Sequence, residues 1–155
     1  MATWAAFEAA QPELAAAGRQ LLYQYGPGLG FLGTVRRDGG PRLHPFCPVI
    51  ADGDLWAFIL TASPKCTDLR RDGRYALHAF TPEAVDDEFY VTGRAVAVDA
   101  DDALRERVKA ATVATVGAET EALFAFDIER AMLATYTHRG QWPPAYTKWA
   151  DPGRR

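Results

Sequence analysis

Little in this 155-residue sequence speaks for a cross-linked, membrane-bound or nucleic-acid-binding protein. Cysteine occurs only twice, at Cys47 and Cys66, too few for a disulfide framework and away from any metal-ligand cluster. The three histidines, His44, His78 and His138, lie too far apart for metal-ligand spacing, so no metal is expected. No apolar run approaches the ~20 residues needed to cross a bilayer. No basic stretch leads into an apolar core at the start, so no signal peptide is read. A reduced, cytoplasmic protein with no membrane partner is expected. Positive charge is not in excess either: the formal net charge is −3, so no global field favours nucleic acid. The arginine pairs Arg36-Arg37, Arg70-Arg71 and Arg154-Arg155 are scattered and read as solvated. No Ser-His-Asp or Cys-His nucleophile pattern is credible. Gly26-Pro27-Gly28-Leu29-Gly30 is no nucleotide fingerprint, because no strand precedes it and no helix follows it.

What is present is an ordinary core. Hydrophobic residues make up 48% and charged residues 24%, enough for one domain over residues 1–155 with a buried interior. An N-terminal helical segment, 1–26, carries Trp4 and Phe7, breaks at Pro12, and resumes with Leu14, Leu21, Leu22 and Tyr25 at helical spacing. Gly26-Pro27 stops it. A strand is predicted from Gly30 to Arg36, turning at Asp38-Gly39-Gly40. A second runs from Arg42 to Ile50, and its prolines Pro45 and Pro48 confine it to an edge or a bulge. A third spans Leu55 to Thr61, a fourth Arg74 to Phe80 and a fifth Phe89 to Val98. The third and fourth read as apolar on both faces, which suits a closed barrel covered by helices or another subunit. A long second helix is expected from Asp101-Asp102, with Leu104, Val108, Ala111 and Thr115 on one stripe. Leu123–Ile128 and Met132–Tyr136 read as one or two closing strands. The aromatic tail, residues 138–155, should dock as an extended strap, because Pro143 and Pro144 disfavour a helix. The fold expected is mainly β with flanking helices: a small antiparallel barrel.

Ser63-Pro64-Lys65 carries the clearest chemical signal. Ser63 reads as an N-cap and Pro64 as the first helical residue. Lys65 then puts a cation in the first turn, where the dipole would favour Asp or Glu by roughly 0.3–1 kcal/mol. A helix N-terminus with an added lysine is a receptacle for phosphate. Elsewhere the duller reading holds: His78 as a strand histidine, His138 on the surface, and Asp86-Asp87-Glu88 as a solvated turn.

Phe31-Leu32-Gly33-Thr34-Val35, the Asp38-Gly39 turn, Pro41 through Phe46, the third strand, and Ser63-Pro64-Lys65 through Arg74 form a connected series. In order and spacing that series, over roughly residues 28–99, resembles the pyridoxamine 5′-phosphate oxidase-like, FMN-binding split-barrel family. The resemblance implies a homodimer with a flavin in a groove at the interface. It implies that Lys65 and Ser63 contact the flavin phosphate. It further implies that His44, Pro45, Phe46 and Cys47, with Phe58, Ile59 and Thr61, line the ring, largely through backbone. No catalytic side chain is implied, because the flavin carries the electrons.

Departures from the family pattern matter. Pro64 stands where vitamin B6 oxidases resemble Ser-Arg-Lys, His44 aligns with their strand-two arginine, and Glu88 aligns with a flavin-contacting glutamine. Their C-terminal arginine-rich segment has no counterpart here. Vitamin B6 oxidation is therefore not expected. The resemblance implies an FMN-dependent oxidoreductase acting on an unidentified small molecule, with F420 as the alternative cofactor. A flavin- or haem-binding module without turnover is the reading from a different class. Trp142, Tyr146 and Trp149 are expected to wall the ring, possibly that of a partner.

Overall fold

The computed structural model describes residues 2–98 and 101–153. Trp4–Ala10 (α1) starts at Thr3, whose Oγ1 accepts the Ala6 N–H at 3.1 Å. After the break at Gln11, α2 takes Pro12–Tyr23 with Pro12 in its first turn. Both helices set one apolar face against the barrel, burying Trp4, Phe7, Leu14 and Leu22. The strands are β1 (Gly30–Val35), β2 (Pro41–Phe46), β3 (Pro48–Ala51) and β4 (Asp54–Leu60). Helix α3 (Pro64–Arg71) follows, then β5 (Arg74–Ala79), β6 (Glu88–Val98), α4 (Asp102–Ala110), β7 (Glu121–Thr135) and β8 (Ala145–Ala150). All pairings are antiparallel, in the order β2-β1-β5-β6-β7-β4-β3, with β8 also on β7. The result is a split β-barrel flanked by four helices, the architecture expected from the sequence. Among the described residues, no helix is long and apolar enough to cross a membrane.

Several elements differ from their sequence-based bounds. The second strand is two strands: the chain bends at Cys47, and β2 and β3 take the two ends of the sheet order. Both are edge positions, where Pro45 and Pro48 cost no ladder bond. The predicted closing strands are one 15-residue strand, β7, which absorbs a bulge opposite Thr92 and Gly93. A side chain at Gly93 would meet the Asp127 carbonyl at 1.8 Å, so the bulge admits only glycine there. Helix α4 starts where predicted, with Asp101 Oδ1 accepting the Leu104 N–H at 2.8 Å, but ends at Ala110, leaving Thr115 outside it. Val113, Thr115 and Val116 are β-branched, and Gly117 adopts φ 86°, which terminates the helical pattern.

Two cores result. Leu55, Ala57 and Ile59 of β4 enter the barrel with Phe7, Leu32, Phe89 and Phe126. Trp56 and Phe58, on the opposite face, pack with Val49, Val108 and Leu123 beneath α4. The outside of β4 is thus covered by the chain's own helix. The fourth predicted strand, β5, buries only Tyr75, Leu77 and Ala79; its other face, with Ala76 and His78, is half-exposed. Register extends that open face into a row of cross-strand neighbours, Phe31, His78, Tyr90, Met132 and Lys148. Among the described residues, no helix belongs to that row.

Candidate functional site

Strand β4 delivers the chain to α3 through Ser63. Its Oγ accepts the Cys66 N–H at 3.4 Å and donates to the Leu60 carbonyl at 2.8 Å. The N-cap reading holds, and the serine's single proton is committed to the turn. Lys65, two residues on, is half-buried and forms no ion pair among the described residues. No acidic residue accompanies it in the first turn. The charge of its ammonium acts on both His44 and Cys47.

His44 lies on the inward row of β2, paired with Leu32. Its Nε2 is buried and has no hydrogen-bond partner. Burial, then the charges of Lys65 and Arg42, hold its pKa below the ordinary 6.5, against an opposing pull from Asp68. The imidazole is therefore kept neutral. Cys47, at the β2–β3 bend, is half-buried and free. Burial raises its thiol pKa, Lys65 opposes this, and Glu121 adds to it. A thiol kept protonated is a poor nucleophile.

The remaining expected positions divide. Phe46 and Ile59 are buried in the barrel core and Phe58 in the core under α4, so only their backbone could face a ligand. Pro45 is exposed, and Thr61 is exposed with its hydroxyl donating to the Thr120 carbonyl at 2.9 Å. Lys65, His44 and Cys47 are the expected residues with titratable side chains, all three partly buried.

Asp68 is the residue that sequence reasoning missed. Buried on α3, it accepts from Thr34 Oγ1 at 3.0 Å, Arg42 Nε at 2.7 Å and Arg71 Nη1 at 3.2 Å. Arg71 also donates to the Val35 carbonyl. Burial alone would raise the Asp68 pKa, but the bonds from Arg42, Thr34 and Arg71 bring it below the ordinary carboxylate value. One carboxylate thereby ties α3 to β1 and β2. The sequence did hold a clue, since Arg42 and His44 alternate onto one face of β2.

Of the arginine pairs, Arg36, Arg37 and Arg70 are exposed as expected, Arg71 is tied to Asp68, and Arg154-Arg155 lies outside the described residues. Arg37, Arg42 and Arg71 converge on one groove of about 700 Å3 between the β1–β2 hairpin and α3. The Asp86-Asp87-Glu88 turn is likewise engaged. Asp86 accepts the Gly140 N–H, Asp87 the Tyr136 N–H and Glu88 the Tyr136 hydroxyl, which clamps the loop before β8. His78 Nδ1 sits 2.5 Å from the Ala79 carbonyl on the open face, and His138 is exposed, as expected.

The tail is extended, as the prolines required, but it docks on its own barrel. Strand β8 pairs with the second half of β7, and Trp149 packs on Phe7 with ring centroids 5.1 Å apart. Trp142 and Tyr146 stay 75% and 48% exposed, so within the chain no aromatic wall is built over Lys65 and His44.

Solved structures share this fold. A haem-binding protein from Mycobacterium smegmatis superposes with a TM-score of 0.64 at 15% identity, over 87% of this chain and 57% of that one. This chain thus spans little more than half the length of that protein. A relative of general stress protein 26 from Clostridium acetobutylicum, ascribed to the pyridoxinephosphate oxidase family, gives 0.62 at 14% identity, over 86% and 95%. The haem storage protein HutZ from Vibrio cholerae gives 0.59 at 14% identity, over 83% and 96%. At such identities the likeness is one of fold. No curated protein matches the sequence. The model of the pyridoxamine 5′-phosphate oxidase family matches residues 19–146, which contain β1 to β7, α3 and the residues His44, Cys47, Ser63 and Lys65, and the chain belongs to that family.

Proposed function

We propose that this protein is a flavin-dependent oxidoreductase that holds FMN by its phosphate at the start of α3 and acts on an unidentified small molecule. One observation supports the reading: Lys65, which has no ion-pair partner among the described residues, sits in the first turn of a capped helix, and its charge acts on a neutral His44 whose buried Nε2 has no partner. A phosphate would supply the missing anion to Lys65 and an acceptor to His44. Ser63 would shape the cap rather than contact the ligand directly. Pro45, Cys47 and Thr61, with the backbone of Phe46, Phe58 and Ile59, would form the floor under the ring. When bound, the flavin supplies the hydride chemistry, and the protein supplies position and electrostatics. The same reading includes a homodimer, packed through the open row of Phe31, His78, Tyr90 and Met132 and not through β4.

The test is binding of FMN and riboflavin to wild type and Lys65→Glu. FMN should bind at least about tenfold more tightly than riboflavin, and the charge reversal should remove that advantage while circular dichroism stays unchanged. Equal affinity for both compounds would sink the phosphate assignment. F420 on the same scaffold would show itself by absorbing at shorter wavelength than FMN. Two fold neighbours bind or store haem, and a Soret band in the purified protein, with no turnover, would favour a haem-binding module instead.

A further inference from the structure

We infer that the groove between the β1–β2 hairpin and α3 is a second anion subsite, built for a diphosphate that continues from the phosphate at Lys65. The inference rests on the proposed phosphate position at Lys65, whose neighbour Pro64 lines the groove, and extends it. Arg37, Arg42 and Arg71 line the same cavity of about 700 Å3 with Thr67 and Asp68, so three cations face one carboxylate.

The arginines are not equivalent. Arg71 is engaged at both ends of its fork, by Asp68 and by the Val35 carbonyl. Arg42 is held at Nε alone, 2.7 Å from Asp68 Oδ2, and no other described residue bonds to it. Its two terminal amino groups are therefore free while its guanidinium plane is fixed. Asp68 is itself fixed by Thr34 and Arg71, so the fork is oriented before any ligand arrives. That is the condition under which arginine binds phosphate bidentately with little entropy lost. Arg37, exposed at the hairpin, has no ion-pair partner among the described residues, whereas its neighbour Arg36 pairs with Asp38 at 3.1 Å. Two uncommitted cationic groups around one cavity, a residue away from Lys65, call for an anion larger than a monophosphate.

The experiment uses inorganic pyrophosphate and inorganic phosphate as probes, then FAD against FMN, measured by calorimetry at low salt. Pyrophosphate should bind wild type at least about tenfold more tightly than phosphate. Arg37→Glu, at an exposed position, should abolish the difference. Arg42→Lys, which keeps the charge but loses the fork, should reduce it. FAD should exceed FMN in affinity by a comparable factor, lost in the same variants, while FMN affinity stays unchanged in Arg37→Glu. Equal binding of pyrophosphate and phosphate, insensitive to Arg37→Glu, overturns the subsite and leaves the FMN reading intact. Pyrophosphate binding that survives Lys65→Glu while FMN shows no phosphate preference would support the subsite and reject the FMN reading.

Discussion

Trp149 of β8 rests on Phe7 of α1, ring centroids 5.1 Å apart and tilted by 47°. The last strand and the first helix thereby touch, and both lie on β7, to which Ala2 is also bridged through Ile128. The aromatic tail is a clasp on the chain's own ends. Trp149→Ala should therefore cost about 1–3 kcal/mol, less than a fully buried tryptophan because Trp149 is only half-buried. The denaturation midpoint should fall with the slope unchanged. Truncation after Gly140 should cost more, since it also removes the β8 ladder, yet leave phosphate affinity at Lys65 intact. A truncated chain as stable as the full one would contradict this.

Asp68→Asn should destabilise the fold by about 2–3 kcal/mol, below the 3–5 kcal/mol of a fully buried broken pair because Arg42 and Arg71 keep some water. The pH dependence has a definite sign. The folded-state pKa of Asp68 lies below 3.8, so its contribution is complete above the ordinary carboxylate range. It is lost as pH falls through that range. Urea midpoints of wild type and variant should differ at pH 7 and converge in acid; a constant gap across pH would rule out the charge as its source.

His44 titrates below 6.5 in the free protein. Folding therefore gains from keeping it neutral above that value, and the gain declines as pH drops toward the lowered pKa. A bound phosphate dianion reverses the local field and should raise the His44 value, visible as a shift of its ring-proton NMR titration to higher pH. Phosphate itself titrates near pH 6, so the affinity comparison is wild type against His44→Gln. An unmoved His44 titration in saturating phosphate would exclude His44 from the site.

Phe31 is 39% exposed at the end of the open row and stacks on Phe80 with centroids 4.4 Å apart. Phe31→Glu places a charge in the proposed dimer face without entering either core. Light scattering should report a dimer for wild type at micromolar concentration and a monomer for the variant. A wild-type monomer there would remove the dimer altogether.

Local chemistry explains what the sequence made legible. Ser63 and Pro64 mark a helix start, Asp38-Gly39 a hairpin and Asp101 a cap, each through bonds within a few residues. The two apolar faces of β4 are legible too, but what covers Trp56 and Phe58 depends on where α4 packs. Non-local bonds stayed hidden: Asp68 meets Thr34 and Arg42 from 34 and 26 residues away, and nothing around Asp68 distinguishes it from a solvated helix residue. Gly18 is similar. It weakens α2 by composition, yet a Cβ there would lie 2.4 Å from the ring of Phe89, and the helix approaches the barrel only because it is absent.

Strand β7 also sets the order in which the molecule can be completed during synthesis. Until Glu121 and the residues after it leave the ribosome, β2-β1-β5-β6 and β4-β3 are two separate sheets with unpaired edges, because β6 and β4 meet only through β7. A nascent chain of some 120 residues therefore exposes two sticky strand borders at once. The interval before β7 emerges is the one in which this protein most needs a chaperone.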